Sequence, residues 1–284
     1  MEKLLTLFLS FLLTCLFGYS QKINIAANSC DCANKKVKDS LIEKYLEHGA
    51  EKYSYNSPTW QHYCDSLIAI CPNIAVAYQL KAIPFIKYGE YEKAFSLEDK
   101  AVELAPKDFT AYRGFLKCIF TKDYEGAIID FKKAQELVPN SYEMDHTYFF
   151  FQGLCFLELG NYLKCEEYLK QDIFLQNKGD SSKTVHYNSL FYLGVLYYEM
   201  KEFTLARENL LKCIKIYNNH PDANYYLGLV FGTAGNDSLR NKYLLIAREA
   251  LEKKYSFGED NVFYANYPHQ IRLHEVEQAI NAGK

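Results

Sequence analysis

Prolines at positions 72, 106 and 139 recur at steps of 34 and 33 residues, and the segments they close are copies of one another. The stretch from Tyr91 reads YEKAFSLEDKAVELAP and that from Tyr124 reads YEGAIIDFKKAQELVP. Each carries Tyr-Glu-x-Ala, a second Ala seven residues on, then Glu-Leu and the proline. Pro221 closes a later segment of the same kind. Self-similarity at such a period marks stacked supersecondary units, each of which buries its apolar face only against its neighbours.

A second pattern supports antiparallel helix pairs. Small residues Ala94, Ala127, Cys165 and Ala206 open the second helix of successive units, at steps of 33, 38 and 41, so the later connections carry insertions. Ala82, Gly153 and Gly194 each lie twelve residues before one of these positions. Two helices approach closely only where side chains are small at the crossing. Larger residues fill the adjoining space in Leu193-Gly194-x-x-Tyr197, Leu227-Gly228-x-x-Phe231 and Ala127-x-x-x-Phe131-x-x-Ala134.

Leu-Gly with an aromatic three residues later, Ala-x-x-x-Phe and a closing Pro together resemble the tetratricopeptide repeat family. The resemblance covers about 220 of the 284 residues. Units fall at 73–106, 107–140 and 187–220, with weaker ones at 146–177 and 222–255. A divergent first unit spans 37–71, where Ser57-Pro58 caps and opens a helix. In the 222–255 unit Arg240 stands where a small residue is expected. The implied fold is all-α: a right-handed solenoid of five to six antiparallel helix pairs over 37–255, concave on one side. Residues 21–36 form an irregular lead-in, and 256–284 a connection followed by a capping helix beginning near His269.

Residues 1–20 read as a signal peptide. A lysine precedes an apolar run from Leu4 to Phe17, 14 residues long, shorter than the ~20 needed to span a bilayer. Gly18 and Ser20 are spaced as at a cleavage site before Gln21. The chain is therefore expected in the periplasm or outer envelope of a bacterium, or secreted, with no membrane span once the leader is removed. Leu12-Leu13-Thr14-Cys15 loosely resembles a lipid-attachment motif, which allows a second reading as a lipid-tethered spacer.

Export raises the question of disulfides. Cys64 and Cys71 lie seven apart on one helix, about 10 Å, too far to bond to each other. Cys118, Cys155, Cys165 and Cys213 fall within helical patterns where a small buried residue is wanted. Cys30-Asp31-Cys32 is the one compact thiol pair. It can tie the lead-in to the first unit through Cys64 or Cys71, or serve as an exchanging dithiol, a third functional reading.

A net charge of −3 excludes an electrostatic nucleic-acid binder. No metalloprotease, serine-hydrolase or phosphate-loop motif occurs, the seven His are scattered, and no metal or cofactor is expected. The composition instead stands out for 25 Tyr and 19 Phe against one Trp. In the family the first helix of each pair lines the groove. The resemblance therefore implies a partner surface at Ile83, Ile86, Arg113, Phe120, Phe150, Leu154, Phe191, Val195, Tyr198, Tyr225 and Leu229. Tyr and Phe there would supply large contact area at low entropy cost. A subset of the family grips a chaperone's terminal carboxylate with inward Lys, Arg and Asn. The corresponding positions here read Leu80, Gly114, Phe151, Tyr192 and Tyr226, so that clamp is not expected. The leading expectation is a non-catalytic scaffold for a protein or peptide.

Overall fold

A computed structural model describes residues 31–180, 183–255 and 267–282. The leader, Cys15, Cys30 and the connection 256–266 lie outside the described residues. Thirteen α-helices are described: α1 (Lys35–Ile42), α2 (Pro58–Ile70), α3 (Ala75–Lys87), α4 (Tyr91–Leu104), α5 (Pro106–Leu116), α6 (Tyr124–Leu137), α7 (Tyr148–Glu158), α8 (Tyr162–Asn177), α9 (Tyr187–Glu199), α10 (Phe203–Ile216), α11 (Pro221–Thr233), α12 (Asp237–Glu252) and α13 (Leu273–Asn281). Between α6 and α7 a two-stranded ribbon pairs β1 (Tyr142–Glu143) antiparallel to β2 (His146–Thr147), with Tyr142 opposite Thr147.

The helix starts follow local chemistry. Ser57 accepts the Trp60 amide at 3.2 Å with Pro58 in the first turn, and Thr147, Asn161 and Asn236 cap α7, α8 and α12 in the same way. Pro106 and Pro221 each open a first helix, where the missing amide proton has no intrahelical role. Gly160 and Gly235, each at φ +69, turn the chain between the helices of a pair. At the equivalent turn after α9, Lys201 takes that left-handed conformation itself, at φ 61.

Helices α3 to α12 stack as five successive antiparallel pairs, each packed against the next. What locks the later pairs is a small residue facing a leucine sixteen positions on. A Cβ at Gly153 would lie 2.8 Å from Leu169, at Gly194 2.5 Å from Leu210 and at Gly228 2.7 Å from Leu244. The small residues that open the second helices, Ala94, Ala127, Cys165 and Ala206, are fully buried. Arg240, at the position where a small residue was expected, is accommodated by Gly232, beside which its side chain runs. Its guanidinium donates to the Ala279 carbonyl in the last turn of α13, the end of a helix that attracts cations.

One apolar cluster runs from Ala82 to Val230 and takes in Tyr267. A second surrounds Leu46, Trp60 and Leu67, and a small third joins Leu244, Ala247, Ile271 and Val276. The N-terminal cluster is tied by a disulfide, Cys32–Cys71, with Cα atoms 5.7 Å apart, the lead-in tether the spacing allowed. Cys118, Cys155, Cys165 and Cys213 are free, buried thiols. Cys32 is thus a bonded partner of Cys71 and not half of a dithiol with Cys30.

One expectation needs correction. The terminal helix does not begin near His269: residues 267–272 are non-helical and α13 starts at Leu273. His269 adopts φ 58, and the groups it and its neighbours would use in a helical turn are bonded elsewhere.

Candidate binding groove

First helices α5, α7, α9 and α11 carry Tyr112, Phe151, Tyr192 and Tyr226 at equivalent positions, two residues before Gly114, Gly153, Gly194 and Gly228, so the expected correspondence of Gly114 to these aromatics is displaced by two. Across the last three of these helices lies the chain's own segment Tyr267-Pro268-His269-Gln270-Ile271. Tyr267 is buried, its ring 6.5 Å from that of Phe151 on α7 and 6.3 Å from that of His146 on β2. The Tyr192 hydroxyl on α9 donates to the Pro268 carbonyl at 2.8 Å. His269 Nε2 meets Glu158 Oε1 at the end of α7, 3.1 Å away, and its Nδ1 lies 2.9 Å from the Tyr226 hydroxyl on α11. The Ile271 amide donates to Asp222 Oδ1 at 2.8 Å. Gln270 folds back so that its side-chain oxygen accepts the Tyr267 amide at 2.9 Å.

Environment sets the electrostatics of these groups. Burial pushes Glu158 up, but the hydrogen bond and charge of His269, with the Tyr124 hydroxyl, prevail and hold it below the usual carboxylate range. Burial pushes Asp222 up to about 7, although the Ile271 amide opposes it. Asp222 Oδ2 is buried without a hydrogen-bond partner, 3.8 Å from His220 Nδ1. Burial drives His220 and His146 down to about 3, so both are neutral at physiological pH. His220 faces Asn188 Oδ1 at 3.2 Å. Nearby, Asp172 accepts from Thr147 at 2.8 Å and from Gln176 at 2.7 Å. The floor at the N-terminal ends of α7, α9 and α11 is thus a polar network inside an aromatic wall, in which Asp172 Oδ2, Asn188 Nδ2 and Asp222 Oδ2 stay without a hydrogen bond.

The eleven residues expected to line the groove divide. Phe150 and Phe191 are fully buried one position before the groove-facing Phe151 and Tyr192. They pack between neighbouring first helices, Phe150 against Tyr192 at 5.5 Å and Phe191 against Tyr226 at 6.0 Å. One residue turns a side chain by about 100°, enough to exchange groove for interface. Leu154 and Val195, three residues beyond Phe151 and Tyr192, share their helix face but are fully buried in the cluster that includes Tyr267.

Ile86 is buried in the same cluster, and Phe120 is buried edge-on against Phe115 at 6.1 Å. Arg113 is committed to carboxylates: Nε and Nη2 hold Asp130 at 2.9 and 2.6 Å, and Nη1 holds Asp99 at 2.7 Å. Ile83, Tyr198, Tyr225 and Leu229 remain partly exposed, with Tyr198 5.3 Å from the Tyr226 ring. The expected surface is therefore not one open apolar patch. The residues that contact the resident segment are His146, Phe151, Glu158, Tyr192, Asp222 and Tyr226. Three of them were identified only as the places where a carboxylate clamp is missing.

The sequence of residues 187–220, spanning α9 and α10, matches the tetratricopeptide repeat family. By sequence in that unit and by fold in the others, the chain is a tetratricopeptide-repeat solenoid. Among similar solved structures is PilW, a type IV pilus biogenesis factor, at TM-score 0.61 and 15% identity, covering 78% of this chain and 100% of that one. PilF of Pseudomonas aeruginosa aligns at TM-score 0.56 and 16% identity over 77% and 96%. BtubC (BKLC) from P. vanneervenii aligns at TM-score 0.56 and 16% identity over 78% and 92%. At these identities the likeness is one of fold. Comparison with curated protein sequences gave no match.

Proposed function

We propose that this chain is a non-catalytic scaffold that binds a protein partner through a short turn-forming segment laid across α7, α9 and α11. The carrying observation is that this face already holds such a segment by main-chain recognition: Tyr192 on a carbonyl and Asp222 on an amide. These contacts read the main chain, and side-chain contacts of Tyr267 with Phe151 and of His269 with Glu158 accompany them. We place the protein in a bacterial envelope. The signal-like N-terminus and a Cys32–Cys71 disulfide, a bond that persists in oxidising compartments, support that setting. PilW, a type IV pilus biogenesis factor, supplies a precedent for the fold in an assembly role.

The test compares partner capture by crosslinking in the native host's envelope. Leu229→Arg places a charge on the groove side of α11, and Leu163→Arg changes a residue 78% exposed at the start of α8. With helical content unchanged in both, capture is lost with the first and retained with the second. Equal capture by both removes the groove from the account.

A further inference from the structure

Removing Tyr267–Ile271 from the groove would leave a particular set of groups wanting. Tyr192, whose ring is fully buried, would lose the acceptor for its hydroxyl; Asp222 would lose its amide donor; Glu158 would lose its imidazole. A buried donor or acceptor without a partner is costly, so whatever replaces the segment must present the same groups at the same places. Asp222 Oδ2, buried and 3.8 Å from His220 Nδ1, has no hydrogen bond even with the segment in place. The resident segment is also not at rest in its own conformation. His269 is held at φ 58, where a non-glycine residue is strained, while its imidazole is bonded to α7 and α11 and its neighbours Pro268 and Ile271 to α9 and α11.

We propose that Tyr267–Ile271 is a resident pseudo-ligand, and that the groove exchanges it for a partner peptide of the same chemistry: an aromatic residue, a proline, a hydrogen-bonding cationic or imidazole residue, and two positions on an aliphatic one. This rests on the groove reading above and specifies its ligand. The aromatic fills the socket formed with Phe151 and His146. The proline sets an extended approach, since it restricts the residue before it and brings no amide proton needing a partner. Its carbonyl meets Tyr192. The imidazole bridges Glu158 and Tyr226, and the aliphatic residue's amide caps Asp222 while its side chain joins Leu244 and Val276.

An intramolecular occupant on a short connection competes at an effective concentration in the millimolar range. Only a partner that binds well, or is itself held nearby, displaces it. The solenoid is thereby kept closed to weak, unspecific peptides.

The test uses the full chain and a fluorescein-labelled peptide, acetyl-Asn-Tyr-Pro-His-Gln-Ile-Arg-amide, read by anisotropy. Wild type is compared with Tyr267→Ala/His269→Ala, which weakens the resident segment and leaves the groove intact. The variant is expected to bind the peptide at least about tenfold more tightly, because its competitor has lost a charge-assisted bond and a buried ring. Adding Tyr192→Phe returns affinity toward the wild-type level. Circular dichroism and a cooperative melt establish folding. His269→Ala alone, a smaller change, gives a smaller gain in the same direction if the double variant melts early. A folded variant whose peptide affinity equals that of wild type overturns the proposal and makes the segment a fixed strap. The groove reading fails separately, through undiminished partner capture by Leu229→Arg.

Discussion

The two halves of the solenoid solve the same packing problem with opposite chemistry. In the C-terminal pairs a glycine faces a leucine across the crossing: Gly153 with Leu169, Gly194 with Leu210, Gly228 with Leu244. In the N-terminal pairs the same register holds acids, Glu98 sixteen residues after Ala82 and Asp130 sixteen after Gly114. Asp130 is matched by Arg113 and by Lys117, whose ammonium lies 2.7 Å away. Glu98 is fully buried with both carboxyl oxygens lacking a hydrogen bond, and burial raises it to about 9, so it is neutral at physiological pH. A repeat position therefore tolerates different chemistries, provided that each is locally compensated or neutralised. The same division extends outward: the N-terminal half is tied by a disulfide, the C-terminal half by a segment lying in its groove.

Four changes probe that contrast. Reduction of Cys32–Cys71 closes off the largest contribution: opening a loop of 39 residues costs about 4 kcal/mol on the chain-entropy view. Urea unfolding with and without reductant measures it, and an unchanged midpoint would show that the N-terminal cluster holds without its tie. Leu210→Ala comes next, at about 3 kcal/mol, since a fully buried leucine leaves a cavity against Gly194. Leu205→Ala on the same helix, at a site 39% exposed, is expected to cost far less in the same denaturation series.

Glu98→Leu should act in the opposite direction. It restores the residue type of the C-terminal pairs and removes an unpaired buried acid, adding about 1 to 2 kcal/mol in thermal or urea melts. An effect of similar size is the pH slope that Glu98 imposes. Its folded value lies above the unfolded one, so the folded state binds the extra proton. The resulting stability is fully present below the unfolded value near pH 4.5 and is lost as pH rises toward about 9. Between pH 7 and 9 stability should therefore fall, by on the order of 1 kcal/mol per pH unit. The slope should flatten in Glu98→Gln, and an equal slope in that variant would assign it to other groups.

Much of this was legible in the sequence, because it is local and periodic. The proline and small-residue spacings located the helix pairs, Ser57-Pro58 marked the start of α2, and the four mid-helix cysteines are the small buried residues that their positions required. The lead-in tether through Cys71 was among the pairings allowed. Two kinds of feature escaped. Helix rotation was one: Phe150 and Phe191 are as aromatic as Phe151 and Tyr192, so composition alone could not say which of two neighbours faces the groove. The occupant was the other, since its contacts join residues 49 and 76 apart, as in Asp222 to Ile271 and Tyr192 to Pro268. No period carries such a pairing. Its one local trace was a proline followed by a histidine ahead of the final helical pattern.

The central claim, that the face across α7, α9 and α11 is where a partner lies, is tested most directly by a photo-crosslinking amino acid at position 229 or 163 of the full chain in its native host. Position 229 shares the helix face of Tyr226, three residues earlier, while 163 is exposed at the start of α8. A discrete adduct from 229 with none from 163 is the predicted result. Adducts from 163 alone would contradict the account and place the partner outside the groove.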